Sequence, residues 1–85
     1  MNRRKLLRRL AHGALNNVAF RDMIALAEGF GFRLVRTSGS HHILGHPSVP
    51  EMVNLQEVRG EAKPYQIRQF LTLVERHSLT LEDEE

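Results

Sequence analysis

Two helical stripes flanking a stretch of alternating residues constrain this chain more than any other feature of it. Phe20, Met23, Ile24 and Ala27 recur at i, i+3, i+4 and i+7, and Phe30 continues the row. That spacing puts one apolar face of a helix against a core. Ile67, Phe70, Leu71 and Val74 repeat the pattern towards the C-terminus. Between the stripes the period falls to two. Phe32 and Leu34 alternate with Arg33 and Val35, and Met52 and Asn54 alternate with Val53 and Leu55. Ser38-Gly39-Ser40 is turn chemistry, so residues 41–44 read as the returning strand of a hairpin.

The punctuation agrees with this order. Gly29 and Gly31 stop the first striped helix, and Asn17 or a neighbour is placed to cap its start. Pro64 suits the first turn of the second, which is expected over residues 64–77. Gly45, Pro47 and Pro50 mark a loop, and residues 60–63 form a polar connection. Leu6, Leu7 and Leu10, set among arginines, predict a further short basic helix over residues 3–12. The expected class is α+β: a three-stranded antiparallel sheet with helices packed on one face, plus an extra N-terminal helix. The other face of the sheet is left free for a ligand.

Eighty-five residues allow one small domain, for which an obligate partner or an oligomer is a reasonable expectation. We divide the chain into a basic helical extension (residues 1–16), the domain proper (17–79) and an acidic, disordered tail (80–85). The net charge of +2 conceals an asymmetry between these parts. Without the tail's Glu82, Asp83, Glu84 and Glu85, twelve basic residues face six acidic ones. A basic body suits a nucleic-acid partner, because neutralising phosphates releases counterions. Both termini also read as solvated charge runs. The absence of cysteine excludes disulfides, thiolate metal sites and cysteine nucleophiles. Residues 1–10 carry the charge of a signal peptide without its apolar run, and no stretch approaches the roughly 18 apolar residues of a membrane span. The expected location is the cytoplasm.

The chemistry concentrates at Gly39-Ser40-His41-His42. Histidine titrates near neutrality, so an imidazole after a flexible turn is suited to proton transfer on a polyanion. Neighbouring strand residues point to opposite faces, so His41 and His42 cannot both line one flat surface. His41 shares a face with Ile43 and His42 with Leu44, and alternation alone does not choose between them. His46 lies close by in sequence, but no Asp or Glu stands between residues 29 and 50 to complete a metal site. We therefore expect no metal and no cofactor. His12 and His77 are isolated and expected at the surface.

Gly31-Phe32-Arg33-Leu34-Val35-Arg36, Gly39-Ser40-His41-His42 and His46-Pro47, together with Lys63-Pro64 opening the last helix, resemble the HicA toxin family. The resemblance covers about Phe20 to Val74 and implies a double-stranded-RNA-binding-domain-like α–β–β–β–α core. It also implies a toxin that cleaves messenger RNA and is restrained by a HicB-type antitoxin. The family's catalytic histidine follows the Gly-Ser step, which carries over to His41; His42 matches the family pattern as well. Two departures stand out. The basic N-terminal segment extends beyond the usual compact toxin, and Val53-Asn54-Leu55-Gln56 stands where many members have a Pro-His pair.

Metal-free RNA cleavage needs a base for the 2′-OH and an acid for the leaving 5′-oxygen, roles that histidine fills. His41 is the expected catalytic residue, with His42, Ser40 and Gly39 as possible support. Ser40 is suited to bonding a phosphate or holding an imidazole tautomer, or it serves the turn alone. Arg33, Arg36 and Lys63 are the expected RNA-binding cations, Arg36 and Lys63 also being suited to stabilising a phosphorane. Each reads otherwise as a solvated charge. Phe20, Phe30, Phe32 and Phe70 are assigned to the core and leave Tyr65 free, which favours recognition by shape and phosphate over base stacking. Competing readings are a non-catalytic RNA-binding module and a partner-binding protein without nuclease activity.

Overall fold

Helices cover one side of an antiparallel sheet and leave the other side open. The computed structural model describes residues 2–82. In chain order the elements are α1 (Arg3–Ala11), α2 (Phe20–Gly29), β1 (Arg33–Ser38), β2 (His41–His46), β3 (Val49–Val58), β4 (Glu61–Ala62) and α3 (Pro64–Arg76). The strands run in spatial order β1-β2-β3-β4. The α+β class and the order of the main elements are those expected, and the arrangement is consistent with a double-stranded-RNA-binding-domain-like fold.

The sheet has four strands rather than three. Residues 60–63, expected as a connection, include the short strand β4, in which Ala62 pairs with Glu57 and Glu61 with Val58. Arg59 and Gly60 both take positive φ, 54° and 77°, which is the signature of a two-residue type I′ hairpin turn. A strand of two residues is too short to show a period. β3 is also longer than expected and contains Pro50. Leu44 pairs with Val53 but His46 pairs with Val49, so residues 50–52 bulge out of the ladder, where proline forfeits no sheet hydrogen bond.

β4 also explains how α2 begins. Asn17 does not cap it; its φ is 60°, and the N-cap is Ala19, whose side chain makes no capping bond. The hairpin supplies the partners instead, since Phe20 N–H donates to Gly60 O at 2.8 Å and Ala62 N–H to Val18 O at 2.9 Å. The other end of α2 follows the Schellman pattern, with Gly31 N–H bonded to Glu28 O and Phe32 N–H to Ala27 O. Gly31 has a φ of 98°, and a Cβ there would lie 2.9 Å from the His46 ring.

One core joins all three helices to the sheet. Phe32, Phe70, Leu26, Leu44, Leu55 and Ile67 are fully buried; of the two stripes, Phe20, Met23, Ala27, Phe30, Ile67 and Phe70 are buried, while Ile24, Leu71 and Val74 pack against the core partly exposed. Phe30 and Phe32 both pack against Phe70, with centroids 5.7 and 5.4 Å away. The N-terminal helix belongs to this core through Leu6 and Leu10. Asn2 caps it by accepting from Lys5 N–H, and Arg3 Nε donates to Ala25 O at 2.7 Å, tying it to α2. Beyond α3, Leu79 and Leu81 pack on the core and Glu82 N–H bonds Gly29 O at 2.8 Å. The acidic residues 83–85, part of the expected disordered tail, lie outside the described residues.

His77 is not isolated. Its Nε2 lies 3.2 Å from Glu51 Oε1, while Arg76 Nη1 bonds Glu51 Oε2 at 2.9 Å, joining the end of α3 to β3. The Glu51 carboxyl is held below its ordinary value, chiefly by a hydrogen bond from its own backbone; desolvation opposes this, and His77 and Arg76 reinforce it.

Two outcomes follow from this packing. Leu10→Ala should lower unfolding stability by about 2–5 kcal/mol, read as a reduced urea midpoint at unchanged m, because Leu10 is a core residue and not part of a loose extension. The Glu51 contribution should be present above the ordinary carboxylate range and disappear as pH falls through its depressed pKa. Glu51→Gln should therefore flatten the acid limb of the stability–pH curve in thermal melts.

Candidate functional site

A tight turn aligns β1 with β2 at the start of the site. Ser38 pairs with His41 across the two residues Gly39 and Ser40. Gly39 has a φ of 59°, as the first central position of a type II′ turn requires. Gly39 is therefore a backbone device: it presents no side chain and lets the strands close.

Burial then decides which way each histidine faces. Leu44 is fully buried, so His42 and His46, which share its parity on β2, point towards the helices. The His42 ring packs on Phe20 at 4.7 Å, and its Nδ1–H donates to Ser40 O at 3.2 Å. His46 packs on Phe32 at 5.1 Å and accepts Ser48 N–H at Nδ1. His41 takes the opposite parity, on the open face with Ile43. Its Nδ1 lies 3.2 Å from Asn54 Oδ1 of the neighbouring strand. The three clustered histidines thus do not converge.

A bulge in β1 brings a cation to the same face. Leu34 pairs with Leu44, but Arg36 rather than Val35 is paired with Ile43. Strict alternation from Phe32 would have turned Arg36 towards the core. The extra residue re-aims it to the open side, where directly paired residues share a face. Leu34 precedes the bulge and pairs with buried Leu44 on the helix side, yet it is half exposed because β1 is the edge strand. Val35 and Met52 flank Gly45 on this face and are 58% and 59% exposed, an apolar border to the polar end around His41.

The remaining expected cations are placed elsewhere. Arg33 sits at the far end of β1, opposite Gly45, with Nη1 donating to Phe32 O at 2.8 Å and Glu28 O at 3.3 Å. At ~3.3 Å per strand residue, the four steps from Gly45 back to His41 separate the two by about 13 Å. Lys63 lies at the start of α3 with its Nζ 5.8 Å from the centroid of the exposed Tyr65 ring. Arg36, paired with Ile43, is thus the expected cation that β-pairing puts nearest His41.

Ser40 is engaged on both of its polar groups. Its carbonyl accepts Glu57 N–H at 3.0 Å, and its Oγ accepts from Gln56 Nε2 at 3.2 Å. Gln56 N–H in turn donates to Gln66 Oε1 at 2.7 Å, and Gln66 Nε2 approaches Tyr65 Oη at 3.4 Å. Gln66 is only 3% exposed. It satisfies a β3 donor just beyond the reach of the short β4, and so ties α3 to the turn that carries His41.

Asn54, Gln56 and Gln66 went unnoticed as site residues in the sequence. The apolar pair Val53 and Leu55 already places Asn54 and Gln56 on the open face, but their partners depend on register. Gln66 precedes the Ile67 stripe and carries no periodic signal of its own.

The arrangement puts one imidazole, a group able to take or give a proton, on the same face as a guanidinium that can pair with a phosphate. Among the described residues, no group of three or more His, Asp or Glu side chains is gathered for a metal ion. No helix among them is long and apolar enough to cross a membrane.

A family model described as HicA toxin of bacterial toxin–antitoxin matches residues 20–75, from the start of α2 almost to the end of α3. The match includes both striped helices, the whole sheet and the Gly39–His42 turn. No curated protein and no solved structure matches the chain.

Proposed function

The chain belongs to the HicA toxin family and is the toxin of a toxin–antitoxin pair, and from that premise we propose that it is a metal-independent endoribonuclease that cleaves messenger RNA through His41. The supporting observation is that His41 alone among the three β2 histidines faces the open side of the sheet. Family toxins of this kind are generally ribonucleases and are partnered by HicB antitoxins. A HicB-type protein is accordingly the proposed restraining partner, and the cytoplasm the proposed place of action.

In the proposed reaction, the unprotonated His41 imidazole removes the 2′-OH proton of a ribose held over the sheet. The 2′-oxygen attacks the adjacent phosphorus, and the bond to the 5′-oxygen breaks. The leaving oxygen takes a proton from the imidazolium or from water, and a 2′,3′-cyclic phosphate remains. Arg36 pairs with the phosphate as charge builds on its equatorial oxygens. Lys63 and Arg33 hold more distant phosphates, with Tyr65 beside Lys63 as a stacking surface for one base. Ser40 and Gly39 act by holding the turn. His42 supports that turn from the core side through its bond to the Ser40 carbonyl.

His41→Ala should reduce cleavage of RNA by the purified protein about 10²–10⁴-fold and abolish growth arrest on expression. Its RNA affinity should remain within a few-fold of the parent. Undiminished cleavage would sink the catalytic assignment, and binding without cleavage in the parent protein would leave only an RNA-binding module. Arg36→Ala should weaken RNA binding and make the slope of log affinity against log salt shallower by about 0.7, the share of one phosphate on a single strand. An unchanged slope would remove Arg36 from the phosphate contacts.

A further inference from the structure

We infer that Asn54 sets the tautomer of His41 and is thereby a positioning residue for the reaction; this rests on the proposal that His41 is the catalytic base. Asn54 Oδ1 carries no hydrogen, so its approach of 3.2 Å to His41 Nδ1 is a hydrogen bond only when Nδ1 bears the proton. A neutral imidazole holds one ring proton, and fixing it at Nδ1 leaves the Nε2 lone pair free. Nε2 is the atom at the far side of the ring from the sheet contact, and the one best placed to reach a ribose hydroxyl. Without the Asn54 bond the ring exchanges between tautomers, and only part of the population presents a base at Nε2.

The surroundings leave this task to Asn54. Gln56 lies directly opposite His41 in the ladder, but its side-chain amide turns to Ser40, donating from Nε2 to Oγ, and its backbone N–H bonds the buried Gln66. Asn54 pairs with Ile43, two residues from His41 on the same face, and its side chain reaches diagonally across. His42 has its own tautomer set separately, by the Ser40 carbonyl. The hydrogen bond therefore joins two side chains on adjacent rigid strands, the placement that best holds an orientation.

The test uses the full chain labelled with ¹⁵N, in which two-bond nitrogen–proton correlations report the tautomer of each histidine at alkaline pH, where the rings are neutral. The parent should show His41 protonated at Nδ1. Asn54→Leu, of similar size but without an acceptor, should lose that preference and lower kcat about tenfold, the scale of one hydrogen bond, with KM little changed. Asn54→Asp restores an acceptor and should recover both the tautomer and most of kcat. Asn54 is on the open face, so neither change disturbs the core, and a thermal melt confirms folding. A parent His41 protonated at Nε2, or an Asn54→Leu protein that keeps the Nδ1 tautomer, overturns the inference without touching the nuclease reading. A lost tautomer with unchanged kcat also overturns it. Full cleavage by His41→Ala is the separate result that removes the nuclease reading itself.

Discussion

Leu44 is fully buried, and a strand whose side chains alternate cannot bury it without turning His42 and His46 inward and His41 outward. The candidate surface depends on that parity. It is held by a core in which Phe32, Phe70, Leu55 and Ile67 are also fully buried, so a slip of one residue in β2 would expose Leu44 and bury His41. The inward histidines are not spare copies of the outward one. They pack against Phe20 and Phe32 in tilted and edge-on contacts and bond to local backbone, serving the junction between sheet and α2.

Departures from regular pairing supply the remaining geometry. The bulge at Val35 moves Arg36 to the side of His41, and the longer bulge at residues 50–52 accommodates Pro50 and leaves Met52 exposed. Bulges of this kind also twist an edge strand and discourage pairing with another chain, which matters for β1 because all of its residues are exposed. Short β4 has a matching consequence. Where it ends, the Gln56 N–H needs a partner, and buried Gln66 provides one from α3. A polar side chain tolerated in the interior thereby links the last helix to the Ser40 turn.

The architecture was largely legible in the sequence. Phe20/Met23/Ile24/Ala27 and Ile67/Phe70/Leu71/Val74 report helices because their spacing depends only on the local backbone period. Val53 and Leu55 report a strand face for the same reason, and Pro64 reports a helix start. Gly39-Ser40 announces a hairpin turn since few residues accept positive φ. What was not legible depends on contacts distant in sequence. Asn17 is a reasonable cap by composition, but the hairpin β3–β4 supplies an acceptor, Gly60 O, for the first N–H of α2. His77 looks solitary until Glu51, 26 positions earlier, is brought beside it.

The candidate site divides along the same line. The sequence by itself determined that an imidazole pair follows a Gly-Ser turn, that the two rings must face opposite ways, and that the body of the chain is basic. The motif also carried the family resemblance, which named His41. Only the tertiary structure decided that His41 is the outward ring, that Arg36 lies near it while Arg33 sits at the far end of β1, and that Asn54 and Gln56 complete the surroundings. The reason is physical: alternation specifies relative orientation along one strand, whereas absolute orientation and cross-strand neighbours are set by register and burial, which no local pattern contains.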